Sequence, residues 1–292
     1  MAYPVTFTVV GILYIVLSAI FFTINLVLLV TMTRNPEYHT ATYRIIRFIC
    51  IACMLQLGVF FIGGVMTITD TVFSDQFNRI LGAIIQASWF LYLGLSFALA
   101  VDRLLCFVVV SPKKCAFVSF SVLVASWLLC IGYLVAFLFP GFGFAYCCRD
   151  EYLHWFYMAE DGALILKHSE IILDFVILSL ILFIYFVVFC FLIKMRKVNG
   201  SVQKSQSLKS ELRILFVSTI SYIYECTYLL WFFWGSMFLQ DDSRTHILTT
   251  FLWIIDCGLF SMATLIINSS VRRKVKTIIV SSRATTTVTT KF

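Results

Sequence analysis

The sequence predicts an all-α membrane protein: a bundle of seven transmembrane helices followed by a short amphipathic eighth helix. Of 292 residues, 61% are hydrophobic and only 13% charged, about half of the roughly 25% charge of a soluble domain. Mean hydropathy is +0.97. Seven stretches each hold the roughly 20 mostly apolar residues that a helix needs to cross a bilayer, at about 5–32, 44–68, 80–110, 116–139, 169–195, 211–238 and 246–268. Lys and Arg gather in alternate connecting segments. A water-soluble enzyme is excluded for want of polar surface, and a disordered chain by the 17% aromatic content.

Each span has its own reason. Apolar runs of this length suit helices, not barrel strands of about 10 residues, and strand periodicity is absent. The first span begins within ten residues of Met1 with no basic segment before it. It is too long for a signal-peptide core and is expected to remain in the mature protein. Its one deep polar residue is Asn25. The second carries Cys50 and Cys53, read as small buried hydrophobes like most of the ten cysteines. The third closes with LAVDRLL, residues 99–105, putting an adjacent Asp102–Arg103 at its end. The fourth carries Trp127 and stops at Pro140. Glu170 and Asp174 stand at the outer end of the fifth and are expected at the interface. Glu225 interrupts the sixth span and Asp256 the seventh. INSSVRRKV, residues 267–275, turns the end of the seventh into a basic amphipathic stretch, which suits an eighth helix lying on an anionic leaflet. The domain expectation is 1–281 for the bundle and 282–292 for a Ser/Thr-rich tail.

Orientation follows from the basic residues. With the N-terminus outside, the inner segments hold 18 Lys and Arg and the outer segments 4. The inner set includes Lys113, Lys114 and the segment 194–214, with Asn199–Gly200 as its turn. The outer face carries Asp70, Asp75, Asp150, Glu151, Asp241 and Asp242 among its acids. These read as solvated loop surface, with a weak pull on cations as the functional alternative.

An Arg at the end of an apolar helix faces the bundle interior or snorkels to the interface. Glu225 lies 14 residues along from Glu211, roughly 21 Å up the sixth helix and somewhat past the membrane centre. Charge at that depth is costly unless paired, protonated or hydrated. For Glu225 and Asp256 three readings stay open: a structural water network, an activation switch, or ligand contact; Asn25 is grouped with them as an intramembrane polar network. Gln86, Trp89, Tyr92, Asp174, Tyr228, Trp231 and Trp253 fall in the outer halves of helices three, five, six and seven. Aromatics with a few polar groups suit a small, mostly apolar ligand, and equally suit packing or a membrane interface. No catalytic set, metal spacing or phosphate loop appears. Neither an enzymatic activity nor a cofactor is expected.

These residues together resemble the rhodopsin-like superfamily, and most closely the nematode serpentine chemoreceptors. The resemblance rests on HTATYRIIRFICIACMLQL at 39–57, LAVDRLL at 99–105, a sixth helix without proline, and INSSVRRKV at 267–275. It implies a G-protein-coupled chemosensory receptor. Asp102 and Glu211 would restrain Arg103 at rest, and Arg103 would join the G-protein pocket on activation. The implied partners are a small-molecule ligand, a heterotrimeric G protein, an arrestin-like protein at a phosphorylated tail and membrane lipid. Nucleic acid is not among them. The implied location is the plasma membrane, in sensory cilia. Departures are informative. Aligning on Gln56–Leu57 puts Cys53 where the second helix usually has Asp. The usual prolines of the fifth, sixth and seventh helices are absent, FSMAT at 260–264 standing in the last place. Asn78, 25 residues before Arg103, replaces the usual disulfide Cys, so the loop with Cys147 and Cys148 is expected to be held by packing. Ile85 replaces the amine-binding Asp. The runner-up reading is a seven-span transporter or channel, though internal repeats and mid-depth Gly or Pro breaks are lacking. A scaffold for another receptor is the third.

Overall fold

The computed structural model describes residues 3–108, 112–147, 153–198, 202–238 and 243–277. The tail at 282–292, the turn at Asn199–Gly200, and Cys148, Asp150, Glu151, Asp241 and Asp242 lie outside them, as do the side chains of Lys113, Lys114 and Glu211.

The described residues form seven long helices: α1 Tyr3–Arg34, α2 Ala41–Thr69, α3 Asp75–Val108, α4 Pro112–Leu138, α5 Asp161–Val198, α6 Val202–Phe238 and α7 Ser243–Ile267. All seven are long and apolar enough to cross a membrane. A short α8 follows at 269–277. The Arg103 end is taken as inner, following the charge bias. α5 begins at Asp161, eight residues before the expected span: the acid suits a helix first turn and Ala163–Leu166 carries the apolar helix outward, despite Gly162. α6 extends inward to Val202 through a polar stretch that an apolar window cannot detect.

α3 is the most buried of the seven and α1 the least. α3 packs on α2, α4 and α5, while α1 rests on α2 and α7. The α1–α2 seam is close because two glycines face each other. A Cβ on Gly11 would stand 2.8 Å from the Gly64 carbonyl oxygen, and one on Gly64 2.8 Å from that of Gly11. Among the described residues few α5 and α6 backbone positions approach closely, and the two helices meet through long side chains, Tyr185 with Tyr222 and Phe175 with Phe233 and Trp234.

α8 has a defined start. The Asn268 side-chain oxygen accepts from the backbone N–H groups of Ser270 (3.2 Å) and Val271 (3.4 Å), satisfying donors that a helix start leaves free. Arg213 of α6 donates to Ser269 at 3.1 Å. Lys274 pairs with Glu37, in the turn after α1, at 3.1 Å.

One element was not expected. Phe144–Cys147 (β1) and His154–Tyr157 (β2) form an antiparallel hairpin between α4 and α5, with Phe144 opposite Tyr157 and Cys147 opposite His154. Four-residue strands are too short to stand out by periodicity. Their aromatic content favours a pleated, half-buried surface, and here it packs onto the helix ends.

Candidate functional site: three polar layers along the bundle axis

At the inner end, Arg103 and Asp102 are 1% and 4% exposed. One Arg103 nitrogen, Nη2, donates to Asp102 Oδ2 at 2.6 Å and also to Thr42 Oγ1. Thr42 donates to the same Asp102 oxygen at 2.6 Å, and Ser119 donates to the other at 3.1 Å. Asp102 therefore ties α2, α3 and α4 together. Arg103 and Asp102 meet through one nitrogen and one oxygen and not as a bidentate fork, Thr42 and Ser119 sharing the carboxylate. Neither hydroxyl stands out in sequence, since Ser and Thr are common in apolar helices.

The middle layer joins α1, α2 and α7. Asn25 donates to the Cys257 carbonyl at 3.0 Å and to that of Phe21 at 2.9 Å, and accepts from Ser261 at 2.7 Å. Cys50, not the aligned Cys53, meets Ser261, at 3.7 Å. Gln56 accepts from Trp253 Nε1 at 2.7 Å and from the Cys257 thiol at 3.5 Å. Asn25 thus belongs to this layer, and its hydrogen bonds run to Ser261 and the backbone, not to Glu225 or Asp256.

The outer layer is a pocket floor under the hairpin. The hairpin sits on one face of α3, at positions 78, 82 and 86. Asn78 Nδ2 donates to the Tyr146 carbonyl and its Oδ1 accepts from the Tyr146 N–H, both at 2.9 Å. Hydrogen bonding, not packing alone, therefore holds the loop where a disulfide was missing. Gly82 meets the Phe144 carbonyl, a space that any Cβ would fill. Gln86 donates to Tyr157 Oη at 3.0 Å and to Glu170 Oε1 at 2.5 Å, and Tyr157 donates to Glu170 Oε2. Tyr146 also bonds Thr67 of α2 at 2.5 Å.

Glu170 and Asp174 are 2% and 0% exposed. They are core residues, not interfacial ones. The i, i+4 spacing puts both on one helix face, and that face turns inward under the hairpin. Sequence could have revealed the shared face; its direction depends on packing. Asp174 lies within electrostatic reach of Glu170 and Glu225, and Glu225 within reach of Asp256. Around the acids, Trp89 contacts Tyr92, Tyr228 and Trp253 with ring centroids 5.8, 5.7 and 5.9 Å apart. Trp231 stands apart, half-buried, donating to Thr249 at 3.1 Å. It borders a cavity of about 360 Å³ among β2, α5, α6 and α7, which Tyr157, Phe232, Lys167 and His246 also line.

A seven-helix bundle with a hairpin over an aromatic, acid-bearing floor at one end and a buried Asp–Arg pair at the other has the architecture of a rhodopsin-like receptor. The crystal structure of squid rhodopsin superposes with a TM-score of 0.78 at 13% identity, covering 95% of this chain and 86% of that one. The serpentine type 7TM GPCR chemoreceptor family Srt matches residues 2–288, and the chain belongs to that family. It is a multi-pass membrane protein. No curated protein sequence matches it.

Proposed function

We propose that this receptor binds a small molecule in its outer half, beneath the hairpin, and signals to a heterotrimeric G protein through Arg103. Membership of the chemoreceptor family supports the class. The observation that carries the coupling site is the burial of Arg103, 1% exposed at the inner end of the most enclosed helix, in a bond network linking α2, α3 and α4. A topology-setting Arg would snorkel into water. One held inside is costly and calls for a purpose. Ligand binding in the outer half shifts the population toward a state in which α6 swings outward. That movement would part the side-chain contacts between α5 and α6, Tyr185 with Tyr222 and Phe175 with Phe233, and the Arg213–Ser269 bond restrains it. Glu211 remains a proposed second restraint on Arg103. The N-terminus faces outside, the receptor sits in the sensory plasma membrane, and its tail recruits an arrestin-like protein.

The test is Arg103→Ala, assayed for surface display, ligand binding and nucleotide exchange on a reconstituted G protein. The expected result is display and binding retained with exchange lost. Normal exchange would overturn the coupling role.

A further inference from the structure

We propose that the ligand is an organic cation, an amine or guanidinium on a small apolar body, held by Asp174 and Glu225 against the aromatic cluster of Trp89, Tyr228 and Trp253. This names the ligand class for the receptor reading above and rests on it.

The charge pattern comes first. Glu170, Asp174, Glu225 and Asp256 are all buried, and the one buried basic side chain among the described residues is Arg103, tied to Asp102 at the opposite end. Exposed Lys167 reaches Glu170, whereas no cation among the described residues stands beside Asp174, Glu225 or Asp256; carboxyl groups so placed in a low-dielectric core must take up protons or water. A ligand carrying positive charge supplies what the protein leaves out.

The hydrogen-bond inventory points the same way and does not depend on the acids alone. Gln86 is 0% exposed, and both bonds of its Nε2 run to oxygens that fix which end is the amide nitrogen. Its Oε1 is thereby an acceptor, and it has no donor. Both oxygens of Asp174 and one each of Glu225 and Asp256 are in the same condition. The donors beside them are the Trp89 indole N–H, which is drawn to Asp174 without reaching full hydrogen-bond geometry, and the Ser221 hydroxyl, which shares a small void with Glu225. A buried acceptor left without a partner is destabilising. The complement to this excess of acceptors is a group with several N–H donors, which ammonium and guanidinium provide. Sodium shares the charge but has neither donors nor an apolar body.

The aromatic rings supply the third feature. Trp89, Tyr228 and Trp253 contact one another pairwise with centroids 5.7, 5.9 and 6.0 Å apart, and ring faces of this kind attract cations. Access runs through Tyr157. Its ring walls the 360 Å³ cavity while its hydroxyl caps Glu170, so displacement of this one side chain opens the cavity onto Glu170, one helical turn from Asp174. Lys167, on the cavity rim, is exposed, and solvent ions screen it. The amine-binding position of α3 is Ile85, so this cation would be held from α5 and α6 instead.

The experiment uses the full-length receptor in lipid nanodiscs. Phenethylamine and its guanidine analogue are compared with phenethyl alcohol and with sodium chloride, by ligand-induced change in Tm and by direct binding. The amine and guanidine should bind and the alcohol should not. Asp174→Asn and Glu225→Gln should each weaken binding about tenfold or more, while Glu37→Gln, on the exposed inner surface, should leave it unchanged. If Asp174→Asn folds poorly, Asp174→Glu keeps the charge and should retain binding. Equal binding of the alcohol, a full effect of sodium alone, unchanged binding in both acid variants, or no binding of either cation overturns the proposal. Nucleotide exchange on the G protein separates the two readings. If a neutral compound drives Arg103-dependent exchange, the receptor reading stands and the cation inference falls. If the amine binds and exchange never follows, the reverse holds.

Discussion

Asn78 does with two hydrogen bonds what a disulfide does in related folds. A side-chain amide offers one donor and one acceptor, and Tyr146 presents its backbone C=O and N–H to them, both at 2.9 Å. Asn78→Ala should orphan both backbone groups at about 1–3 kcal/mol each, read as a fall in Tm and in surface display. Asn78→Asp keeps the acceptor but sets a carboxylate oxygen against a carbonyl, so it should cost at least as much as Asn78→Ala in the same assay. Equal stability of all three proteins would show that packing alone holds the loop. At the inner end, Asp102 accepts from Arg103, Thr42 and Ser119. Asp102→Asn weakens all three bonds and removes the charge facing Arg103, so basal nucleotide exchange should rise. Unchanged basal exchange would mean that this carboxylate does not restrain Arg103.

The hairpin depends on a single close approach. Only glycine at 82 lets the Phe144 carbonyl reach α3, and Asn78 and Gln86 bond the two strands one turn to either side. Gly82→Ala lies in a helix, where Ala is favoured by about 1 kcal/mol over Gly. It should nonetheless destabilise the receptor and expose Tyr146 and Tyr157 to hydrogen exchange; a stabilised protein would mean that the hairpin moves aside freely. β2 also meets α7, where His154 stacks on His246 with ring centroids 4.0 Å apart. Burial, and the neighbouring His246, hold the His154 imidazole below its ordinary value of 6.5. Protons therefore bind the unfolded chain more readily than the folded one as pH falls. The stability from the neutral pair is whole above about 6.5 and declines below it. Tm should drop between pH 7 and 5, and His154→Phe should flatten that slope.

At the scale of the whole molecule, the 18 to 4 division of Lys and Arg calls for an outside N-terminus. An epitope at Met1 should label on intact cells and one at Phe292 only after permeabilisation. The reverse pattern would turn Arg103 outward and end the G-protein reading.

The helices themselves were legible because hydrocarbon imposes a simple rule: a crossing segment must bond its own backbone and be apolar for roughly 20 residues. Asp102–Arg103, Glu225 and Asp256 were legible for the same reason, since charge in such segments is conspicuous. The sequence by itself therefore determined seven spans, an amphipathic α8 and the residues that do not belong in lipid. Tertiary structure alone decided their partners. Thr42 and Ser119 meet Asp102 from helices 60 residues before and 17 residues after it in the chain. Gln86, Tyr157 and Glu170 converge from α3, β2 and α5. No local pattern encodes such meetings. Helical periodicity shows which residues share a face, but only the packing of seven helices and one hairpin decides what each face turns toward.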